Sequence, residues 1–490
     1  MGLIGLMQAF LLFESCAMFY CLRFFLKIII DKFMTDHKVF RFKWWALLGV
    51  SLLAFTAFLD ATIVNTALPF IQTALKANIL QLQWVANIFT IILSMTMIAI
   101  GKFADLWGRR RVFYFGVVIF AIAALGAGLS PTIDMLILFR GLQALGASII
   151  FIASAALLSD VFPEHELVRA ISIYGGVTGF GLMIGPFLGG ILISFFGWRW
   201  VFWINLPLIA VGLIACSFSL RGHQQEKHSV KIDYLGLFLL IFGLGALMYG
   251  IIAGAQSGWI SISAWIFLGA GVVALILLVV FDEFGKNPLL DLHIFKEKLI
   301  ILAAFSCALA GVVSTVFMFF DPLYLRILRN LSPFLIGLLI AVIPAAQALI
   351  SFVFTRSVKL FGVANLLIFS IFAAFLAALF HRMIQLETPL LFLILPFFLL
   401  GINWGLSNAA MITAVNQVIS SSKIGAAIGT IATIWNIVGS ILLAVSTAIF
   451  HTEEIKTSFL PAFHSAINFN IAFAAIILFV SILVRLRLKS

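Results

Sequence analysis

The stretch "GKFADLWGRRRV", residues 101–112, sets a Lys, an Asp and three consecutive Arg between two uncharged runs, "WVANIFTIILSMTMIAI" (84–100) and "FYFGVVIFAIAALGAGL" (113–129). The chain around it is 63% hydrophobic and 10% charged, with 52 Phe in 490 residues. Soluble domains run near half apolar and a quarter charged. Apolar windows of about 18 residues recur along the whole length, the pattern of a polytopic membrane protein. Lipid admits only helices and closed barrels, and continuous apolar runs rather than short alternating segments select helices. The fold class is therefore an all-α membrane protein, and residues 101–112 form a charged turn between two of its spans.

Spans fall at residues 44–68, 82–101, 112–129, 134–157, 168–195, 200–219, 234–254, 262–281, 299–320, 334–354, 363–381, 389–411, 424–450 and 468–484, giving 14 transmembrane helices. The connections between them are too short for a separate soluble domain. With residue 43 in the cytoplasm, 23 of the 30 Lys and Arg fall on that side, 6 fall on the other, and Arg140 stays inside the membrane. Positive charge marks cytoplasmic loops, so the opening turn and the C-terminus are expected in the cytoplasm. Residues 1–43 form an N-terminal extension, either an extra helix over 3–22, interrupted by Glu14, or an artefact of start assignment before Met34. Arg23 and Lys27 follow its apolar run, which argues against a cleaved signal peptide.

Several function classes drop out. Cys16, Cys21, Cys216 and Cys307 are scattered among apolar residues, without disulfide or metal spacing. Gly-rich phosphate loops and nucleophile elbows are missing from the sequence. The net charge of +11 follows the loop bias and does not call for nucleic acid. Neither cofactor nor metal is implied, and the chain does not read as an enzyme.

The opening turn has the form G-x-x-x-D-x-x-G-R-R-R. Gly101 and Gly108 permit a tight turn and close helix approach, and Asp105 and the Arg109 and Arg110 forks suit helix ends and one another. Here the chain resembles the major facilitator superfamily, whose motif G-x-L-A-D-R-x-G-R-[RK] it follows except for Leu106, where a base is usual. The resemblance implies a cytoplasmic latch; the plain alternative is a loop of topological value alone. "LDATIVNTALP" (59–69), "LILFRGLQALGAS" (136–148, with Ala144 where Gly is common), "GLMIGPFLGG" (181–190) and "GWRWVFWINLPL" (197–208) narrow the likeness to the fourteen-span drug:proton antiporters of the EmrB/QacA type. In the C-terminal half "NPLLDLHIF" (287–295) adds a weaker match.

Gly181, Gly185 and Gly189 recur every four residues and form one close-packing stripe, while Pro186 favours a bend beside them. The resemblance assigns Gly181, Gly185, Pro186, Gly189 and Gly190 to the antiporter motif; packing alone is the competing reading. Asp60 and Arg140 carry the strongest chemistry, because ionisable groups at membrane depth face a partner or a cavity. At 1.5 Å per residue both sit about 20 Å from the cytoplasmic side, so they can pair. Burial favours a protonated carboxyl and a nearby guanidinium an ionised one, a balance suited to proton coupling; a structural ion pair is the alternative. Thr62, Asn65, Gln347 and Asn403 are candidate cavity contacts, with backbone or interhelical hydrogen bonding as the rival role. Asp321, near the outer end of its span, reads as solvent-exposed.

"TRSVKLFG" (355–362) echoes the opening turn, Gly362 answering Gly108 and Lys359 standing at the place of Asp105. The echo aligns spans 1–6 with spans 9–14, as in repeat-built transporters. The expected architecture is a major facilitator fold: a six-helix half over 44–219, a linker with two inserted helices over 220–298, and a second six-helix half over 299–490. The function the resemblance implies is proton-coupled export of lipophilic or cationic small molecules by alternating access from the inner membrane. Its partners would be a small-molecule substrate, protons and the lipid bilayer, for a monomer with or without periplasmic adaptor proteins. Alternatives are a dedicated exporter of an endogenous metabolite, such as a siderophore or lipid-like product, and a non-transporting membrane sensor or scaffold.

Overall fold

A computed structural model of the chain describes residues 38–219, 234–257, 260–284, 292–419 and 424–489, apart from some side chains near these limits and within the helices. Most of the N-terminal extension, both ends of the inserted helix pair's linker and the start of "NPLLDLHIF" lie outside the described residues. Fourteen helices form among those that are described. They are α1 (Lys38–Leu75), α2 (Ile79–Trp107), α3 (Arg109–Leu129), α4 (Ile133–Val161), α5 (Glu164–Phe196), α6 (Trp200–Ser217), α7 (Tyr234–Ser257), α8 (Ile262–Phe284), α9 (Lys298–Ile327), α10 (Pro333–Phe361), α11 (Val363–Arg382), α12 (Leu390–Val418), α13 (Ile424–Glu454) and α14 (Phe459–Lys489). Twelve are long and apolar enough to cross a membrane, and α2 and α7 contribute the shorter apolar stretches Ile79–Leu93 and Phe238–Gly254. The all-helical fold matches the sequence reading. Helices overrun the apolar windows at several ends, because backbone hydrogen bonding continues after the side chains turn polar. In α14 the turns from Phe459 onward that contain His464 extend the helix ahead of the apolar run.

Local chemistry sets the turns. Asn78 and Gln81 make a reciprocal capping box at the start of α2, with Gln81 N donating to Asn78 Oδ1 at 2.8 Å and Asn78 N to Gln81 Oε1 at 3.1 Å. Ser332 caps α10 ahead of Pro333 at its first position. Gly108 (φ 95°) and Gly362 (φ 75°) each end one helix and start the next, in a conformation that penalises a β-carbon. Their N–H groups donate back to Ala104 O and Val358 O. The faint echo between the two sequences is thus one backbone turn used twice.

One apolar core lies within α1–α6, another within the later helices, and the largest spans both. Helices α7 and α8 pack as a pair, a β-carbon at Gly250 falling 2.7 Å from Leu268 N, and α7 rests on α2 and α13. The halves meet at the end that holds Pro333. There a β-carbon on Gly190 of α5 would lie 2.7 Å from Pro333 O and 3.1 Å from Gly337 Cα of α10. Phe187 and Phe334 cross edge to face beside it, their ring centroids 6.0 Å apart. Asn87 donates to Ser440 O at 3.0 Å, and Thr447 Oγ1 donates to Gln83 Oε1, tying α2 to α13. Toward the Arg109 end, α5 is open: nothing lies within 4 Å of a β-carbon built on Gly175, Gly176 or Gly179. Among the described residues the halves touch at the Pro333 end, and α5 is uncovered at these three glycines toward the Arg109 end.

Gly190→Val should therefore wedge α5 from α10. Overpacking of about 1–3 kcal/mol shifts a two-state equilibrium about 5- to 150-fold. Pulsed EPR distances between labels across the Pro333 end should lengthen, with helix content unchanged; an unaltered distance distribution would count against the seal.

Candidate functional site

Asp60 sits midway along α1 and Arg140 two turns into α4, with 0% and 2% of their surface exposed. Arg140 Nη1 donates to Asp60 Oδ2 at 2.5 Å. Oδ1 of the same carboxylate accepts from Gln143 Nε2 and from Asn205 Nδ2, each at 2.8 Å. The guanidinium has further support: Nη1 donates to Gln143 Oε1 at 2.8 Å, Nε to Val85 O at 3.4 Å, and Cζ stands 4.4 Å from the Phe89 ring centroid. Desolvating two charges costs several kcal/mol per ion, and geometry of this kind is what offsets it. The depth estimate that brought Asp60 and Arg140 level agrees with their contact. Gln143 and Asn205 escaped the sequence reading. Gln143 stands three residues after Arg140, hence on the same face of α4, a signal that was available. Asn205 comes from another helix, and no spacing reveals it.

The carboxylate helix is keyed to α5. Pro186 has no N–H to give Leu182 O, four residues earlier, and Thr62 Oγ1 of α1 donates to that carbonyl at 3.1 Å. The glycine stripe brings the backbones together: a β-carbon at Gly181 would lie 2.9 Å from Phe55 O, one at Gly189 would lie 3.1 Å from Ile63 O, and Gly185 packs directly on Thr62. Thr62 therefore bonds backbone, the second of its two expected roles.

The other candidates disperse. Asn65 is 8% exposed on α1. Gln347 is half-buried on α10, its backbone against Gly401 and Gly405 of α12. Asn403 is fully buried and donates to Ser370 O at 3.1 Å and Ser370 Oγ at 3.0 Å, in a cluster with Ser306 and Ser407. It holds α11 to α12 and lines no open wall in this conformation. At the opening turn, Gly101 and Asp105 lie on the helical backbone of α2, and the surroundings of the former and the side chain of the latter fall outside what the structure describes. Arg109 pairs with Asp160 at the end of α4, at 2.7 Å, and Arg110 lies 5.8 Å from the Tyr114 ring centroid. One expectation is overturned: Asp321 is 1% exposed, not solvated, because α9 continues as helix through Pro322 and carries it into the core against His381.

A helical membrane bundle whose halves meet at the Pro333 end, with a buried carboxylate–guanidinium pair inside the first of them, is the build of a secondary transporter. The sequence pattern of the Major Facilitator Superfamily matches residues 50–233 and 231–444, and the chain belongs to that superfamily. It is 34% identical over 311 residues to multidrug resistance protein Stp of Mycobacterium tuberculosis, covering 62% of this chain and 57% of that one, so the match spans little more than half of the relative. It is 28% identical over 412 residues to the riboflavin transporter RibZ of Clostridioides difficile, covering 83% and 87% of the two chains. Among solved structures it is similar to a bacterial homolog of the human lysosomal transporter Spinster, inward-facing and unoccupied, with a TM-score of 0.63 at 18% identity over 92% of this chain and 99% of the other. That likeness shows the shared fold.

Removing either charge should have unequal effects. Arg140→Ala leaves a buried carboxylate with two amides and should cost about 3–5 kcal/mol. Asp60→Asn leaves Arg140 with Val85 O, Gln143 and Phe89 and should cost less. Thermal unfolding of the purified variants in detergent checks the order; equal losses would mean that the secondary contacts of Arg140 carry no weight.

Proposed function

We propose that the chain is a proton-coupled secondary active exporter of lipophilic or cationic small molecules, of the multidrug-efflux type. It works by alternating access in the inner (plasma) membrane, with the Arg109 end and the C-terminus in the cytoplasm. The observation that carries this reading is the Asp60–Arg140 pair. Protonating Asp60 removes the charge that holds Arg140, yet Arg140 retains Val85 O, Gln143 Oε1 and the Phe89 face. The site thus has two arrangements, charged pair and separated partners, as a coupling element requires. Because α1 is tied to the bend of α5 through Thr62 and Leu182 O, a change at Asp60 reaches the helix that seals against α10.

In this cycle the conformation sealed at the Pro333 end is the cytoplasm-facing state, in which substrate displaces the proton of Asp60 and leaves it ionised. Substrate binds there, the bundle rocks, and a proton from outside loads Asp60 as substrate leaves. The Arg109–Asp160 pair, with Lys43 and Glu166 at 2.6 Å, belongs to the cytoplasmic ends and would be remade in each turn. The name of Stp favours the multidrug reading. RibZ, by name a riboflavin transporter, matches more of the chain and favours the second reading in one respect, a single metabolite as substrate. A sensor or scaffold has no need of a carboxylate at membrane depth.

Asp60→Asn should insert normally, because losing a charge lowers the insertion cost, and should lose export driven by an imposed pH gradient in proteoliposomes. Asp60→Glu should keep part of it. Wild-type gradient-driven export by Asp60→Asn would leave Asp60 a structural residue.

A further inference from the structure

A second ionisable pair lies in the other half, unused by the mechanism above. Asp321 on α9 and His381 in the last turn of α11 are 1% and 0% exposed. His381 Nε2 is 3.2 Å from Asp321 Oδ1 and 3.4 Å from Oδ2, while Nδ1 is 2.8 Å from Ala377 O. A carbonyl oxygen only accepts, so Nδ1 carries its hydrogen. The contact between Nε2 and the carboxyl then needs one more proton, on the nitrogen or on the oxygen. Without it a carboxylate faces an imidazole lone pair, a net negative charge between the rings of Phe317 and Phe397, whose centroids are 4.6 and 5.8 Å from the imidazole. Burying such a charge is costly unless it is paired.

The neighbouring groups do not supply a cation in its place. Tyr324, one turn further on, interacts electrostatically with Asp321, but its hydroxyl donates to Gln385 O at 3.0 Å. Arg329 donates to the Tyr324 hydroxyl at 3.4 Å and to Thr388 O at 2.5 Å. Arg382 turns to Asn468 at 3.0 Å and His464 at 3.2 Å on α14, and His464 Nε2 lies 2.8 Å from Ile384 O. Arg326 stands over the Phe70 ring of α1, 5.2 Å from its centroid, and bonds Leu331 O. From α13, Phe450 packs on Phe320.

The pair also sits where movement would reach it. It belongs to the sealed end, among the core residues that span both halves. A π-helical turn, Val313–Phe317, precedes Asp321 and Pro322 follows it, and both loosen the helix ladder there.

We propose that Asp321 and His381 form a second proton-binding site, filled from the Pro333 side, whose one proton must be bound before that end can close. Its place in the cycle rests on the alternating-access reading. When the end is open, water reaches a carboxylate and a neutral imidazole. A hydronium ion there gives its proton to Nε2, forming an imidazolium–carboxylate pair with no net charge, which can be buried. On reopening, the proton returns to the same side. No proton crosses the membrane by this route; it makes closure depend on outside pH.

The test uses the full-length chain with its four native cysteines replaced, nitroxide labels at Pro131→Cys and Glu387→Cys, and Asp60→Asn to silence the first site. Pulsed EPR should show the ratio of closed to open Pro333 ends rising about tenfold per unit fall in pH across the titrating range, the slope for one linked proton. Asp321→Asn should flatten the response. So should the apolar pair Asp321→Leu with His381→Leu, a replacement that buried ion pairs commonly tolerate. A response already flat in Asp60→Asn, or one that survives the apolar pair, overturns the site. A merely structural pair predicts lost stability with an unchanged pH response. The exporter reading fails separately, if Asp60→Asn still exports on a pH gradient whatever the EPR shows.

Discussion

Asp60 and Arg140 touch at 2.5 Å in a place where neither is more than 2% exposed. A carboxylate and a guanidinium stripped of water at that depth are tolerable only while every lone pair and N–H is answered, and Gln143, Asn205, Val85 O and Phe89 do most of that answering. The constraint is asymmetric. Asp60 depends on Arg140 for its charge, whereas Arg140 has a carbonyl, an amide and an aromatic face to fall back on. Protonation of Asp60 therefore has a defined structural consequence.

That consequence can travel because α1 and α5 are held together by backbone rather than by side-chain bulk. Pro186 leaves Leu182 O without its helical donor, Thr62 supplies one from α1, and the glycine stripe lets the two helices approach closely enough for it to do so. One turn beyond, Gly190 presses on Pro333 and Gly337. The chain of contacts from carboxylate to seal runs through Thr62, Pro186 and Gly190, within about four helical turns.

Much of this was legible in the sequence, and the rest was hidden for identifiable reasons. Long apolar runs read directly as helices, because lipid admits only helices and closed barrels and unbroken apolar runs do not suit a barrel's alternation. Charge at membrane depth marked Asp60 and Arg140, and depth counting put them level. Glycine spacing marked the face of α5. What stayed hidden needed tertiary knowledge: Asn205 reaches Asp60 from a different helix, and Asp160 takes Arg109 from the far end of α4. Asp321 misled because proximity to an apolar window's end, next to a proline, imitates a loop. Its partner His381 is 60 residues away and invisible to local pattern. Asn403 takes the interhelical of its two expected roles and holds α11 to α12, a choice between partners that only the tertiary structure makes.

The central claim is that Asp60 exchanges a proton when substrate binds. Its most direct test is to add a transported cation to purified protein in weakly buffered solution and count protons with a pH indicator. The account predicts release of about one proton per bound cation from wild type, the number a single coupling carboxyl gives, and none attributable to this site from Asp60→Asn. Equal release from both proteins would contradict it.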